Sequence, residues 1–172
     1  TYTLHEEYAP EGYVIATDVE FTVSKDKETQ KIEMIDKIVE MSKKDIAGDE
    51  LEGATIIVTN TKTKNIVDKW VSGKEPHRIQ GLIEGETYVM HEEIAIDGYV
   101  KATEIKFKVE NTNETQKVVM IDKIVEMTKN DIGGEEIEGA ELKVFDKEGN
   151  IVDEWTSTNE AHKIKNLVEG KT

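Results

Sequence analysis

Cysteine is absent from the 172 residues, so no disulfide braces the chain. Small extracellular domains bury too little surface to be very stable and usually carry a staple. Either the chain works in a reducing compartment or another staple replaces the disulfide. Only two prolines are present, and aromatic residues make up 6%. With three phenylalanines and one arginine, Arg78, the chain has few of the anchors on which binding hot spots are built. No apolar run approaches the roughly 20 residues of a membrane-spanning helix. No signal peptide or wall-anchoring segment is recognisable, and both ends read as those of an excerpt. No window keeps a 3.6-residue apolar stripe, which argues against helices.

What is abundant is charge. Charged residues make up 34% against 37% apolar, and the net charge is −15. That sign argues against nucleic acid or an anionic membrane as partner and fits a solvated rod. The acidic stretch Asp45-Ile46-Ala47-Gly48-Asp49-Glu50 lacks the alternating oxygen ligands of a calcium loop and reads as a turn. No metal site and no cofactor is expected.

The main feature is a repeat. Thr1-Tyr2-Thr3-Leu4-His5-Glu6-Glu7 returns as Thr87-Tyr88-Val89-Met90-His91-Glu92-Glu93. Met34-Ile35-Asp36-Lys37-Ile38-Val39-Glu40-Met41 returns as Met120-Ile121-Asp122-Lys123-Ile124-Val125-Glu126-Met127, and the offset is 86 residues (122 − 36). Asn65–Trp70 returns as Asn150–Trp155 at an offset of 85 (150 − 65), one residue having been lost from the turn after Thr59. Three units follow: the C-terminal half of a repeat at 1–37, a complete repeat at 38–123 and the N-terminal half of another at 124–172. Within each, short β-branched runs such as Ala54–Val58 and Asn65–Trp70 flank polar turns. Glycines punctuate them at 53, 73, 81, 85 and 98. Seven or so strands per repeat read as an all-β sandwich, the layout that immunoglobulin-like folds share. Trp70 and Trp155 are expected in the core or half-buried on strands, and His5 and His91 on solvent-facing strand positions.

Strand parity sorts the ionisable residues. Val39, Met41 and Lys43 share one face; Glu40, Ser42 and Lys44 share the other, expected to be wet. Tyr88, Met90 and Glu92 align, as do Val118, Met120 and Asp122. Three apolar rows thus each end in one inward ionisable group, an amine or a carboxyl. Unpaired burial of such groups costs more than a small domain can bear, so they either form an ion cluster or react. Lys43 returns as Lys129 whereas Lys44 becomes Asn130, which favours Lys43 as the residue that matters.

These stretches resemble the CnaB (SpaA-type, prealbumin-like) domains of Gram-positive adhesins and pilins. The likeness lies in Val39-Glu40-Met41-Ser42-Lys43-Lys44-Asp45, in the Glu52-Gly53-Ala54 that follows, in Leu4–Tyr13 and in Val119-Met120-Ile121-Asp122. It extends in strand order over the complete repeat. One departure is Ile94-Ala95-Ile96-Asp97-Gly98-Tyr99, where the family has an alanine-proline-glycine-tyrosine turn. The resemblance implies an isopeptide bond between Lys43 and Asp122, promoted by Glu92. Burial favours the neutral amine and the neutral acid, which are nucleophile and electrophile. It implies the same chemistry for Lys129 and Asp36 with Glu6, between half-domains. Each repeat would react once, so no enzyme is expected.

The resemblance further implies a stalk or spacer on the cell surface, extracellular and anchored to the wall, whose partners are neighbouring repeats. A module that binds a host ligand, of unknown identity, is the alternative. Lys129 of one molecule bonding Asp36 of another would give covalent head-to-tail self-association.

Overall fold

The computed structural model describes residues 1–171, and the described residues form strands and turns without a helix. The middle of the chain holds seven strands: β3 (Val39–Lys44), β4 (Thr55–Asn60), β5 (Ile66–Val71), β6 (His77–Arg78), β7 (Thr87–Ile94), β8 (Ile105–Lys108) and β9 (Gln116–Ile121). They form two sheets, ordered β6-β3-β9 and β5-β4-β7-β8. The first and last strands, β3 and β9, run parallel side by side, with Lys43 opposite Met120. All other strand pairs here are antiparallel. The two inner faces close on one core that includes Val39, Met41, Ile56, Val58, Tyr88, Met90, Val118 and Met120. Tyr88 stacks on Phe107 at 5.8 Å, and its hydroxyl accepts the Ile83 N–H at 2.9 Å. Its ring is thus packed while its polar end is paired, as a fully buried tyrosine requires.

The flanking residues repeat pieces of this sandwich. β1 (Tyr2–Leu4) pairs β2 (Val19–Phe21) with Tyr2 opposite Phe21, as Tyr88 lies opposite Phe107. β10 (Glu126–Met127) pairs β13 (His162–Lys163) as β3 pairs β6. β11 (Glu141–Phe145) pairs β12 (Ile151–Thr156) as β4 pairs β5, with a bulge at the same place in each ladder. The residue missing from the second hairpin falls in its turn. Lys64 holds a left-handed φ of 64° in the longer turn, and Gly149 holds φ 87° in the shorter one, where glycine carries no Cβ penalty. Burial separates the complete unit from the flanking ones. Tyr88, Met90 and Met41 are 0%, 0% and 2% exposed, whereas their counterparts Tyr2, Leu4 and Met127 are 61%, 39% and 45% exposed.

Sequence parity fails at one position. Ser42 is buried, not wet. It is a short side chain on the middle strand of its sheet, shaded on its face by the longer Glu40, Lys44 and Val119. Trp70 and Trp155 are half-buried, each stacked at 4.3 Å on a histidine, His77 or His162. His5 is exposed and bonded to Asp18 at 2.6 Å, while His91 is half-buried. The Asp45–Glu50 stretch is a turn closed by Gly48 N–H to Asp45 O at 3.1 Å. The repeated Gln30 and Gln116 each brace a loop, accepting a backbone N–H (Ser24, Glu110) and donating to a carbonyl (Thr22, Lys108).

The turn that departs from the family pattern keeps its geometry. Tyr99 N–H bonds Ile96 O at 3.0 Å, as Tyr13 N–H bonds Pro10 O at 3.0 Å. Gly98 has φ 84°, and a Cβ there would stand 3.4 Å from Lys163 Cβ. Gly12, at φ 81°, approaches Arg78 in the same way. Each turn therefore packs against the following unit at ordinary contact distance, and it is the left-handed backbone angle that calls for glycine.

Candidate cross-linking site

Lys43, Glu92 and Asp122 meet at one end of the core. Lys43 enters from β3, and Asp122 follows β9, one residue past its last ladder position. Asp122 is fixed there by its N–H donating to Lys44 O at 2.8 Å. Glu92 enters from β7 on the facing sheet, opposite Ile56 of β4. The fold thus brings together residues 79 positions apart on one sheet and closes the other sheet over them. All three are 2% exposed or less.

Lys43 Nζ donates to Asp122 Oδ1. It also lies 3.0 Å from Glu92 Oε1, in ion-pairing range but not aligned for a hydrogen bond. Glu92 Oε2 accepts the Ala102 N–H at 3.1 Å. Two buried oxygens remain without hydrogen-bond partners, Glu92 Oε1 and Asp122 Oδ2. Buried polar atoms are rarely left so, and one proton on Asp122 would give the carboxyl pair a donor. Burial foremost, and the Glu92 charge beside it, push Asp122 up to about 6 against the pull of Lys43. Two carboxyls and one ammonium in a dry pocket favour a state in which one carboxyl is neutral. The site can therefore hold an acid and an amine in contact, with a carboxylate alongside to move protons.

The second predicted set is not assembled. Glu6 keeps its local role, accepting the Ala16 N–H at 2.8 Å. Asp36 is half-buried, raised above the usual carboxylate range by burial and then by Glu6. Lys129 is exposed and makes no salt bridge among the described residues. Lys129 lies in the last unit, two residues past the end of β10, while Glu6 and Asp36 lie in the first. Among the described residues no cluster suited to a metal ion is present.

Sequence reasoning missed the groups that join the units. Ile15 N–H bonds Leu82 O at 2.9 Å, and Lys37 Nζ bonds Glu84 at 2.6 Å. Lys101 N–H bonds Leu167 O at 2.9 Å, and Lys123 Nζ bonds Glu169. The signal was available as pairs of opposite charge returning at the repeat offset.

Comparison with known proteins agrees with the sandwich. The family "SpaA: Prealbumin-like fold domain" matches residues 1–38 and 37–124. The chain belongs to this family of SpaA-type prealbumin-like domains, the CnaB type. Among solved structures, the Bacillus anthracis TIE protein is similar at 23% identity and TM-score 0.41, covering 95% of this chain and 34% of that one. The shaft pilin SpaA of Lactobacillus rhamnosus GG is 14% identical with TM-score 0.39, over 66% of this chain and 61% of its own. A streptococcal ancillary pilin is 12% identical with TM-score 0.42, over 95% and 60%. The chain thus spans about a third of the TIE protein's length and about three fifths of the pilins'. A comparison with curated proteins finds no match.

Proposed function

We propose that the chain is a structural stalk segment of a bacterial surface protein, extracellular and anchored to the wall, stiffened by an isopeptide bond from Lys43 to Asp122. The observation that carries this is the buried contact of Lys43 with both Asp122 and Glu92, drawn from two facing sheets. Moving one proton within the site turns the ammonium–carboxylate pair into amine and acid. The Lys43 nitrogen then attacks the Asp122 carboxyl carbon. Glu92 takes a proton from nitrogen and delivers it to the departing hydroxyl, so a C–N bond forms, a C–O bond breaks and one water leaves. Contact in the folded state supplies the effective concentration. Glu92 ends as it began, but the amine and acid are consumed, so each repeat is its own substrate and not an enzyme.

The bond's placement suits a load-bearing rod. Tension entering at β3 crosses from Lys43 to Asp122 and leaves toward the next unit, and the residues between are bypassed. Lys129 and Asp36 are proposed to form the same bond once their missing halves are supplied, by neighbouring repeats or by another copy of this chain. Intact mass of the denatured protein tests the reading. One water is lost per chain, and the loss is abolished in Lys43→Ala and in Asp122→Ala. A mass equal to that of the sequence would sink it. A ladder on a gel of boiled protein reports the intermolecular bond, and monomer alone argues against it.

A further inference from the structure

The carboxylate of Glu169, in the following repeat, grips both halves of the cross-linking site at once. It accepts from Lys123 Nζ, and Lys123 is the residue after Asp122. It also accepts from Thr103 N at 3.2 Å and Thr103 Oγ1 at 3.0 Å. Thr103 is the residue after Ala102, whose N–H holds Glu92. The backbone reinforces the grip. Val100 N–H bonds Lys123 O at 2.8 Å, Lys101 N–H bonds Leu167 O at 2.9 Å, and Glu169 N–H bonds Lys101 O at 2.9 Å. The segment that supplies Glu92 with its donor is thereby laced between the aspartate-bearing strand end and the next repeat.

The backbone lacing and the lysine–glutamate pair occur twice, whereas the carboxylate's grip on a threonine is seen only at Glu169 among the described residues. At the first junction, Val14 N–H bonds Lys37 O at 2.9 Å, Ile15 N–H bonds Leu82 O at 2.9 Å, and Glu84 N–H bonds Ile15 O at 3.2 Å. Lys37, the residue after Asp36, pairs with Glu84, and Ala16 N–H holds Glu6. Here the ion pair is buried, with side chains 9% and 4% exposed, whereas Lys123 and Glu169 are 57% and 29% exposed. Contact with Lys123 first, and with Thr103 next, lowers Glu169 to about 2, so it is anionic at any ordinary pH.

Resting on the isopeptide reading above, we infer that Glu169 is a positioning residue for the Lys43–Asp122 reaction, so that a repeat cross-links efficiently only when the next repeat has docked on it. The reaction depends on the relative placement of Asp122 and Glu92, which come from different sheets. A misplacement of about 1 Å costs on the order of a hundredfold in rate. One carboxylate bridging the neighbours of both groups fixes that placement. Bonds along a stalk would then close in order as successive repeats dock.

The test follows full-length chain made in a cell-free reaction, pulse-labelled, sampled over time and denatured. Intact mass and the Lys43–Asp122 cross-linked peptide report water loss. Glu169→Ala is expected to slow closure roughly tenfold. Glu169→Gln, which keeps one acceptor oxygen for Thr103 but loses the carboxylate oxygen that receives Lys123, is expected to recover part of the rate. Glu154→Ala, which removes an exposed pair with Lys143 elsewhere in the same unit, is expected to leave it unchanged. A Glu169→Ala chain that closes as fast as the wild type overturns the inference while leaving the bond itself intact. So does slow closure in both Glu169 variants with a matching fall in melting temperature, since that marks a purely structural part. A wild-type chain that never loses water overturns the parent reading as well.

Discussion

Removing the acid of the proposed bond should cost the middle domain most of the stability that cross-linking would add. In Asp122→Ala, Lys43 stays 3.0 Å from Glu92, so one buried cation still faces one buried anion and no lone charge is created. What disappears is the closure of a loop between residues 79 positions apart. In the chain-entropy treatment, a loop of that length is worth about 15 cal/mol/K, or about 4.5 kcal/mol at 25 °C. For a domain of this size each kcal/mol moves the melting temperature by roughly 4–8 °C. A fall of about 20–35 °C is therefore expected between the cross-linked protein and Asp122→Ala. Scanning calorimetry measures it, once mass has established that the wild type is one water short. A fall of less than about 5 °C in that cross-linked background would refute the loop-entropy reasoning.

Three further outcomes are expected. Glu92→Gln, which keeps the shape but loses the proton carrier, should slow water loss by roughly 10²–10⁴-fold in a time course read by mass. The closure rate should be flat with pH above about 6, the value to which burial raises Asp122. There, ammonium–carboxylate and amine–acid interconvert without exchanging protons with solvent. Below it Asp122 is already protonated and can take no proton from its partner, so one must be lost to water before attack. The rate should then fall about tenfold per pH unit, and a rate that rises on acidification would contradict this scheme. Tyr88→Phe removes the oxygen that receives Ile83 N–H and should cost about 1 kcal/mol in urea unfolding, with no change in mass loss.

Much of the site was legible because strands alternate. Val39, Met41 and Lys43 share a buried face, as do Tyr88, Met90 and Glu92, and Val118, Met120 and Asp122. A period of two needs no knowledge of how strands pair. Parity assigns a face, however, and not its depth, which is why Ser42 was misplaced. That β3 and β9 are neighbours was not contained in either strand. It followed from the resemblance, and it is what turns three inward residues into one cluster. The roles of Glu84 and Glu169 were hidden for a different reason. They lie in irregular segments where no periodicity applies, and their partners sit in another unit. Only the return of Lys37 as Lys123 beside Glu84 as Glu169 marks them. The Asp68–His77 contact at 2.8 Å, repeated as Asp153–His162 at 2.8 Å, was equally silent in the local sequence.

The two junctions share one pattern of backbone bonds, with Ile15 set between Leu82 and Glu84 as Lys101 is set between Leu167 and Glu169. A joint copied along an array would turn each unit relative to the last by a similar rotation and rise. Repeated, such a step generates a screw. Every surface feature of a repeat is then distributed along a helical path around the rod's axis, and its pitch is written into the joint. An altered joint would introduce a single kink, displacing everything beyond it while leaving each domain unchanged.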